Sequence, residues 1–78
     1  MEKLKKQYQI EILDYATDDL LDCEIEFTEK EAIQTAEKGV SNDTYCLISE
    51  LEQDYEGGNY STTNQDYIKV MHNKIIRY

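Results

Sequence analysis

The stretch Leu21-Asp22-Cys23-Glu24-Ile25-Glu26-Phe27-Thr28-Glu29-Lys30-Glu31-Ala32-Ile33-Gln34-Thr35-Ala36-Glu37-Lys38-Gly39 changes its hydrophobic rhythm at Thr28. Before Thr28, apolar Leu21, Cys23, Ile25 and Phe27 alternate with Asp22, Glu24 and Glu26, which is the period of a half-buried strand. After it, Ala32, Ile33 and Ala36 make the narrow apolar stripe of a helix. Thr28 and Glu31 stand three apart, as in a capping box, where the threonine hydroxyl accepts from the Glu31 amide. Phe27 and Ala32 occupy the positions of a hydrophobic staple, and Gly39 is placed to supply a left-handed C-cap. The stretch therefore predicts a strand packed on a core through Leu21, Cys23, Ile25 and Phe27, with an acidic opposite face. A helix over 29–38 follows.

Working toward the N-terminus, Tyr8-Gln9-Ile10-Glu11-Ile12-Leu13 alternates in the same way, and Asp14-Tyr15-Ala16-Thr17-Asp18-Asp19 is rich in residues that hydrogen-bond their own backbone in turns. These two segments and the strand after them read as a hairpin. Toward the C-terminus, 44–52 reads as a third strand, with Tyr45, Leu47 and Leu51 on one face and Cys46, Ile48, Glu50 and Glu52 on the other. Both faces carry apolar residues, so the inward side stays open. Residues 53–66 are polar around Gly57-Gly58 and read as a long loop, either a hairpin tip or a functional loop. The last hairpin turns at His72-Asn73, where Asn73 tolerates positive φ. The order is β-β-α-β-β-β. We expect an α+β fold, an antiparallel sheet of four to five strands with one helix on one face, formed by residues 1–78 as a single domain.

At 78 residues the chain has little room for a deep ligand cleft, which places function on its outer surface. Apolar content of 40% against 32% charged is enough to fold. No run approaches the roughly 20 apolar residues of a membrane span. The basic start Met1-Glu2-Lys3-Leu4-Lys5-Lys6 leads into no apolar run and does not read as a secretory signal. The expected compartment is the cytoplasm of a bacterial cell, where Cys23 and Cys46 read as small buried apolar residues.

Catalytic constellations fail on residue type and spacing. His72, the single histidine, falls in a tight turn, and neither cysteine has the flanking signature of a nucleophile. There is no phosphate-cradling glycine motif, no Cys-x-x-Cys pair and no zinc spacing. Asp14, Asp18, Asp19 and Asp22 lack the alternate spacing and the glycine of a calcium loop. The expectation is a protein without enzymatic activity, cofactor or dedicated metal.

Charge is distributed unevenly. The net charge is −9, yet residues 11–56 carry fifteen acidic side chains against Lys30 and Lys38 alone, while both ends are net basic. Such a chain is repelled by nucleic acid, so we expect no direct nucleic-acid contact. Asp22, Glu24 and Glu26 repeat every second residue, about 6.6 Å apart along a strand. Glu11 is expected on that same face, and Asp14, Asp18 and Asp19 crowd the adjoining turn. Glu50, Glu52, Asp54 and Glu56 repeat the rhythm. A sheet with carboxylates at that pitch suits a basic groove built for phosphates, and its field steers association. Tyr15, Tyr55 and Tyr60 fall in loops beside these runs, where tyrosine anchors interfaces through its flat ring and polar tip. Tyr8, Tyr45, Tyr67 and Tyr78 read as core or sheet residues. The expected partner is a basic nucleic-acid-binding protein or complex. The candidate contacts are Glu11, Asp14, Asp18, Asp19, Asp22, Glu24, Glu26, Glu50, Glu52, Asp54, Tyr55, Glu56 and Tyr60. The alternative is a plain interaction module, a homodimer joined through a sheet edge, with charge serving only solubility.

In size, charge and acidic ladders over residues 11–56, the chain resembles the small acidic proteins of phages and other mobile elements that inhibit nucleic-acid enzymes, of the anti-restriction and anti-CRISPR kinds. The resemblance implies an inhibitor that sets carboxylates where phosphates would lie.

Overall fold

The computed structural model describes residues 5–78, so the basic start at 1–4, with the absence of a secretory signal expected there, lies outside the described residues. The elements are β1 (Lys6–Asp14), β2 (Leu20–Glu26), α1 (Glu29–Gly39), β3 (Thr44–Gln53), β4 (Tyr60–Met71) and β5 (Lys74–Arg77). They form an α+β fold: a five-stranded antiparallel sheet in the order β2-β1-β3-β4-β5, with α1 against one face. Because β2 and β3 both flank β1 antiparallel to it, α1 is a crossover between two parallel strands.

Cross-strand register defines the core. Ile10 stands opposite Ile48, and Ile48 opposite Ile68; in the next row Ile12, Cys46 and Val70 align. Ile10, Cys46, Ile48, Ile68 and Val70 are fully buried beneath Ala32 and Ala36 of the helix. The inward face of β3 is thus the Cys46–Ile48 side. Small residues let the helix settle close, so that the Cys46 thiol lies 3.8 Å from the Ala36 carbonyl oxygen.

Thr28 caps α1, with its hydroxyl oxygen accepting from the Glu31 amide at 3.1 Å. The Glu31 carboxylate closes the motif on the Thr28 hydroxyl at 3.0 Å. At the other end Gly39 is the last helical residue rather than a left-handed cap, and Val40 takes the cap position in extended conformation. The glycine is required by close approach instead. A Cβ there would stand 3.0 Å from Ile12 Cδ1.

The strand assignment over 53–66 differs from the sequence reading. Only Asp54 to Asn59 turns, closed by Asp54 N–H donating to Asn59 O and Gly58 N–H to Tyr55 O, both at 2.8 Å, with Gly57 at φ 75°. From Tyr60 the chain is already β4. The β3–β4 ribbon runs past the helix and lengthens the described molecule to 44 Å against 21 and 20 Å across. Where the ribbon leaves the core its register shifts twice around Glu50, and Asp66 adopts φ 48°. Ser49 fills the irregularity: its hydroxyl donates to Asp66 Oδ1 at 3.1 Å and accepts the Asp66 amide at 2.9 Å. The β4–β5 turn at His72-Asn73 is as expected in place, but neither residue has positive φ. Tyr78 is exposed beyond β5 and belongs to neither core nor strand.

Candidate acidic interaction surface

Strand β2 carries the largest departure from the sequence reading. Tyr8, Ile10 and Ile12 face the helix, and their partners across the ladder are Glu26, Glu24 and Asp22. Directly opposed residues share a face of the sheet. The acidic row of β2 therefore lies on the helix side and Cys23 and Ile25 lie toward the open face, while Leu21 sits where the register shifts and Phe27 follows the end of the strand. They are not core: Leu21 is 55% exposed, Ile25 44% and Phe27 66%, and Cys23 is exposed as well. With Phe27 in solvent, the expected staple with Ala32 buries little. The cause is geometric. One helix, about 10 Å across, covers about two strands spaced 4.8 Å apart. Here α1 packs chiefly on β1 and β3. The edge strand lies beyond that footprint, so water reaches both of its faces and neither charge nor apolar surface is forced inward.

Register also separates the acidic set. Glu11 pairs with Cys23 and Leu47, so it stands on the open face, opposite the side of Asp22, Glu24 and Glu26. Glu26 is held beside the helix by the Thr35 hydroxyl, which donates to its carboxylate. Asp22 Oδ1 accepts the Cys23 amide at 2.8 Å. Glu24 is exposed, and no side-chain hydrogen bond to its carboxylate is formed among the described residues.

Several other candidates carry structural duties. Asp14 Oδ1 accepts the amides of Ala16 at 2.8 Å and Thr17 at 3.1 Å and builds the β1–β2 turn. Asp18 adopts φ 62° and accepts the Tyr45 hydroxyl. Asp19, also in this connection, is exposed. Glu50 is partly buried and accepts the hydroxyls of Tyr8 at 3.2 Å and Thr63 at 3.0 Å, and Asn64 Nδ2 at 3.2 Å. Lys6 Nζ stands 3.6 Å from Glu50 and 3.9 Å from Glu52. Burial alone would raise the Glu50 carboxyl, but Thr63, Asn64, Lys6 and Tyr8 together hold it below its ordinary range. Asp54 accepts the Ser61 hydroxyl at 2.6 Å. Glu56 is at the exposed ribbon tip. Tyr55 lies beside Gly58 so closely that a Cβ there would meet its ring at 2.8 Å. Tyr60 begins β4 and is half-buried. The candidates thus fall on four separate regions: the β2 edge, the open face of β1 at Glu11, the β1–β2 turn and the ribbon.

The open face has a centre that the sequence reading missed. Tyr45 is buried there, with Lys69 Nζ 4.7 Å from its ring centroid and the Tyr15 ring edge-on at 6.0 Å. The residues whose side chains could serve as nucleophile or base, Cys23, Cys46 and His72, are dispersed. Burial, with the Glu24 charge second, pushes the Cys46 thiol up to about 11, the wrong direction for a nucleophile. Cys23 lies on one sheet edge and His72 in the turn leading to the other. No helix among the described residues is long and apolar enough to cross a membrane. Compared with family models, with curated proteins and with solved structures, the chain matches none.

Proposed function

We propose that the chain is a non-enzymatic acidic inhibitor that occupies the phosphate-binding surface of a basic, nucleic-acid-binding partner in a bacterial cytoplasm. The observation that carries this reading is the weak internal neutralisation of its charge. Among the described residues only Glu29, Glu50 and Glu52 join ion pairs, with Arg77 and Lys6 as their bases. Asp22, Glu24 and Glu26 form the ordered part of the remaining charge. Their two-residue pitch of about 6.6 Å is close to two nucleotide rises of about 3.4 Å. A strand held in register by β1 keeps those carboxylates at fixed spacing, which a disordered acidic tail would not. Tyr55 and Glu56 at the ribbon tip give a second contact, reached along the long axis of the molecule.

The test is a binding assay on a partner recovered by affinity capture, with nucleic acid as competitor. Association should slow steeply as salt shortens the Debye length from about 10 to 3 Å. Nucleic acid and the chain should exclude one another, and the Asp22→Asn/Glu24→Gln variant should bind more weakly with its fold intact. A ternary complex of partner, nucleic acid and chain would sink the reading.

A second reading, a homodimer with purely solubilising charge, is favoured by the exposed Leu21, Ile25 and Phe27. Light scattering decides it: such a dimer persists at high salt and survives neutralisation of the acidic row.

A further inference from the structure

Strand β2 is a seven-residue sheet edge with no neighbour on its outer side among the described residues. The register with β1 shifts at Leu21, so the regular part of the edge is 22–26, which at about 3.3 Å per residue offers roughly 16 Å of backbone for pairing. An exposed edge of that length is a template for another strand unless something blocks it. The two faces of this edge differ sharply. On the helix side stand Asp22, Glu24 and Glu26; on the open side stand Leu20, Cys23 and Ile25, all exposed, with Leu21 the extra residue where the register shifts.

Those rows discriminate between occupants. A second copy paired antiparallel through β2 would set Asp22, Glu24 and Glu26 against the same three carboxylates, and like charges directly opposed destabilise a ladder. The acidic row accordingly guards the edge against its twin. It does not account for the apolar row, which gatekeeping alone would have made polar. One occupant satisfies both rows. It is an extended segment with basic residues at alternate positions, facing the carboxylates, and apolar residues between them, covering Cys23 and Ile25.

We propose that β2 is a β-augmentation site for an extended segment of alternating basic and apolar residues. The Cys23 amide is the feature that prepares it. It donates to the carboxylate of its own neighbour, Asp22, at 2.8 Å. An incoming carbonyl would take that amide and release the Asp22 carboxylate to a basic side chain of the segment. Main-chain pairing then supplies affinity, and the two rows supply register and selectivity. This inference does not rest on the phosphate-mimic reading, which needs charge alone and no backbone pairing.

The probe is the capped peptide Lys-Val-Lys-Val-Lys-Val-Lys, titrated into the isotope-labelled full chain. Amides of β2 should shift and gain protection from exchange while those of β5 stay unchanged. Alternate N-methylation of the peptide backbone should abolish binding, and a block peptide of the same composition, four lysines then three valines, should bind at least tenfold more weakly. Asp22→Asn/Glu24→Gln should also lose at least tenfold, and should now self-associate through β2, where the unaltered chain stays monomeric. If N-methylated and block peptides bind as well as the alternating one, only charge attraction is present and the proposal is overturned. It is overturned equally if the unaltered chain dimerises through β2 at physiological salt.

Discussion

Tyr45 Oη donates to Asp18 Oδ1 at 2.7 Å, which fastens the β1–β2 turn onto the open face of the sheet. The same ring takes Lys69 over its face and Tyr15 at its edge. Without this contact the open side of the sheet would have no buried polar anchor near the turn, and Asp18 would hold a left-handed conformation for no return.

This contact sets an alkaline limit on stability. The hydrogen bond to Asp18, then burial, then the charges of Asp18 and Asp66 push the Tyr45 phenol from 10.0 up to about 12. A group whose pKa is raised by folding stabilises fully below its unfolded value and loses that contribution as pH rises through the folded one. The window is therefore pH 10 to about 12. Urea melts of Tyr45→Phe should show a loss of about 1 kcal/mol at pH 8, typical of one hydrogen bond. Its decline above pH 10 should be shallower than that of the unaltered chain. A residual decline belongs to Tyr8 and Tyr67, whose phenols are also raised, mainly by burial. Curves that stay parallel from pH 8 to 12 would contradict the assignment.

Glu50 sets the opposite limit. Its carboxyl is held below 4.5 in the fold, so its contribution is present above the unfolded pKa and is lost as pH falls through the folded value. Glu50→Gln keeps the size but loses the charge that Lys6, Thr63, Asn64 and Tyr8 converge on. We expect a cost of about 1–3 kcal/mol at pH 7, in the range of hydrogen bonds to a charged group. The variant should lose less stability on acidification below pH 4.5 than the unaltered chain. An acid transition of unchanged steepness would assign the acid sensitivity to other carboxylates.

Gly39 is conformationally ordinary but sterically required. Gly39→Ala gains helix propensity at the last helical position, yet its Cβ meets Ile12 Cδ1 at 3.0 Å. Ile12 is packed against the core on its inner side, so the collision should win, at about 1 kcal/mol of net destabilisation. Ile12→Val removes the colliding methyl. In the Ile12→Val background Gly39→Ala should be neutral or stabilising, which a double-mutant cycle measures directly. Additive effects of the two substitutions would refute the close-approach explanation.

The sequence carried the helix and its cap because Thr28, Glu31, Ala32 and Ala36 act locally, within one or two turns. It carried the succession of elements along the chain because most apolar segments alternate cleanly. The β4 assignment was hidden for a physical reason: Ser61 to Gln65 are exposed along a ribbon that overhangs the core, so no apolar period marks them. The side of β2 was hidden for a related one. Alternation fixes two faces but not which of them meets the core, and the phase came from β1, whose Tyr8, Ile10 and Ile12 bind the helix side. Of the candidate site, the two-residue rhythm of Asp22, Glu24 and Glu26 was legible. The engagement of Asp14, Asp18 and Glu50 in internal hydrogen bonds depends on long-range pairing and was not.

The orientation of β2 is open to a direct contrast between two isoleucines in adjacent strands. Ile10 and Ile25 sit one row apart on the β1–β2 ladder, Ile10 opposite Glu24 and Ile25 opposite Gln9. A reading from alternation alone makes both core residues. The structure makes Ile10 fully buried and leaves Ile25 in solvent. Truncating a buried isoleucine costs about 2–5 kcal/mol, whereas a surface change away from special features stays within about 0.5 kcal/mol. Ile10→Ala should therefore unfold this small domain or nearly so, while Ile25→Ala should move the urea midpoint little. Cys23, on the same face as Ile25, supplies an independent check that needs no mutation. Iodoacetamide should modify Cys23 in the folded chain and leave Cys46 untouched until denaturant is added, because Cys46 is buried against α1 and its thiol is pushed up to about 11. Equal costs for the two alanine substitutions, together with protection of both thiols, would mean that β2 turns its apolar row inward after all.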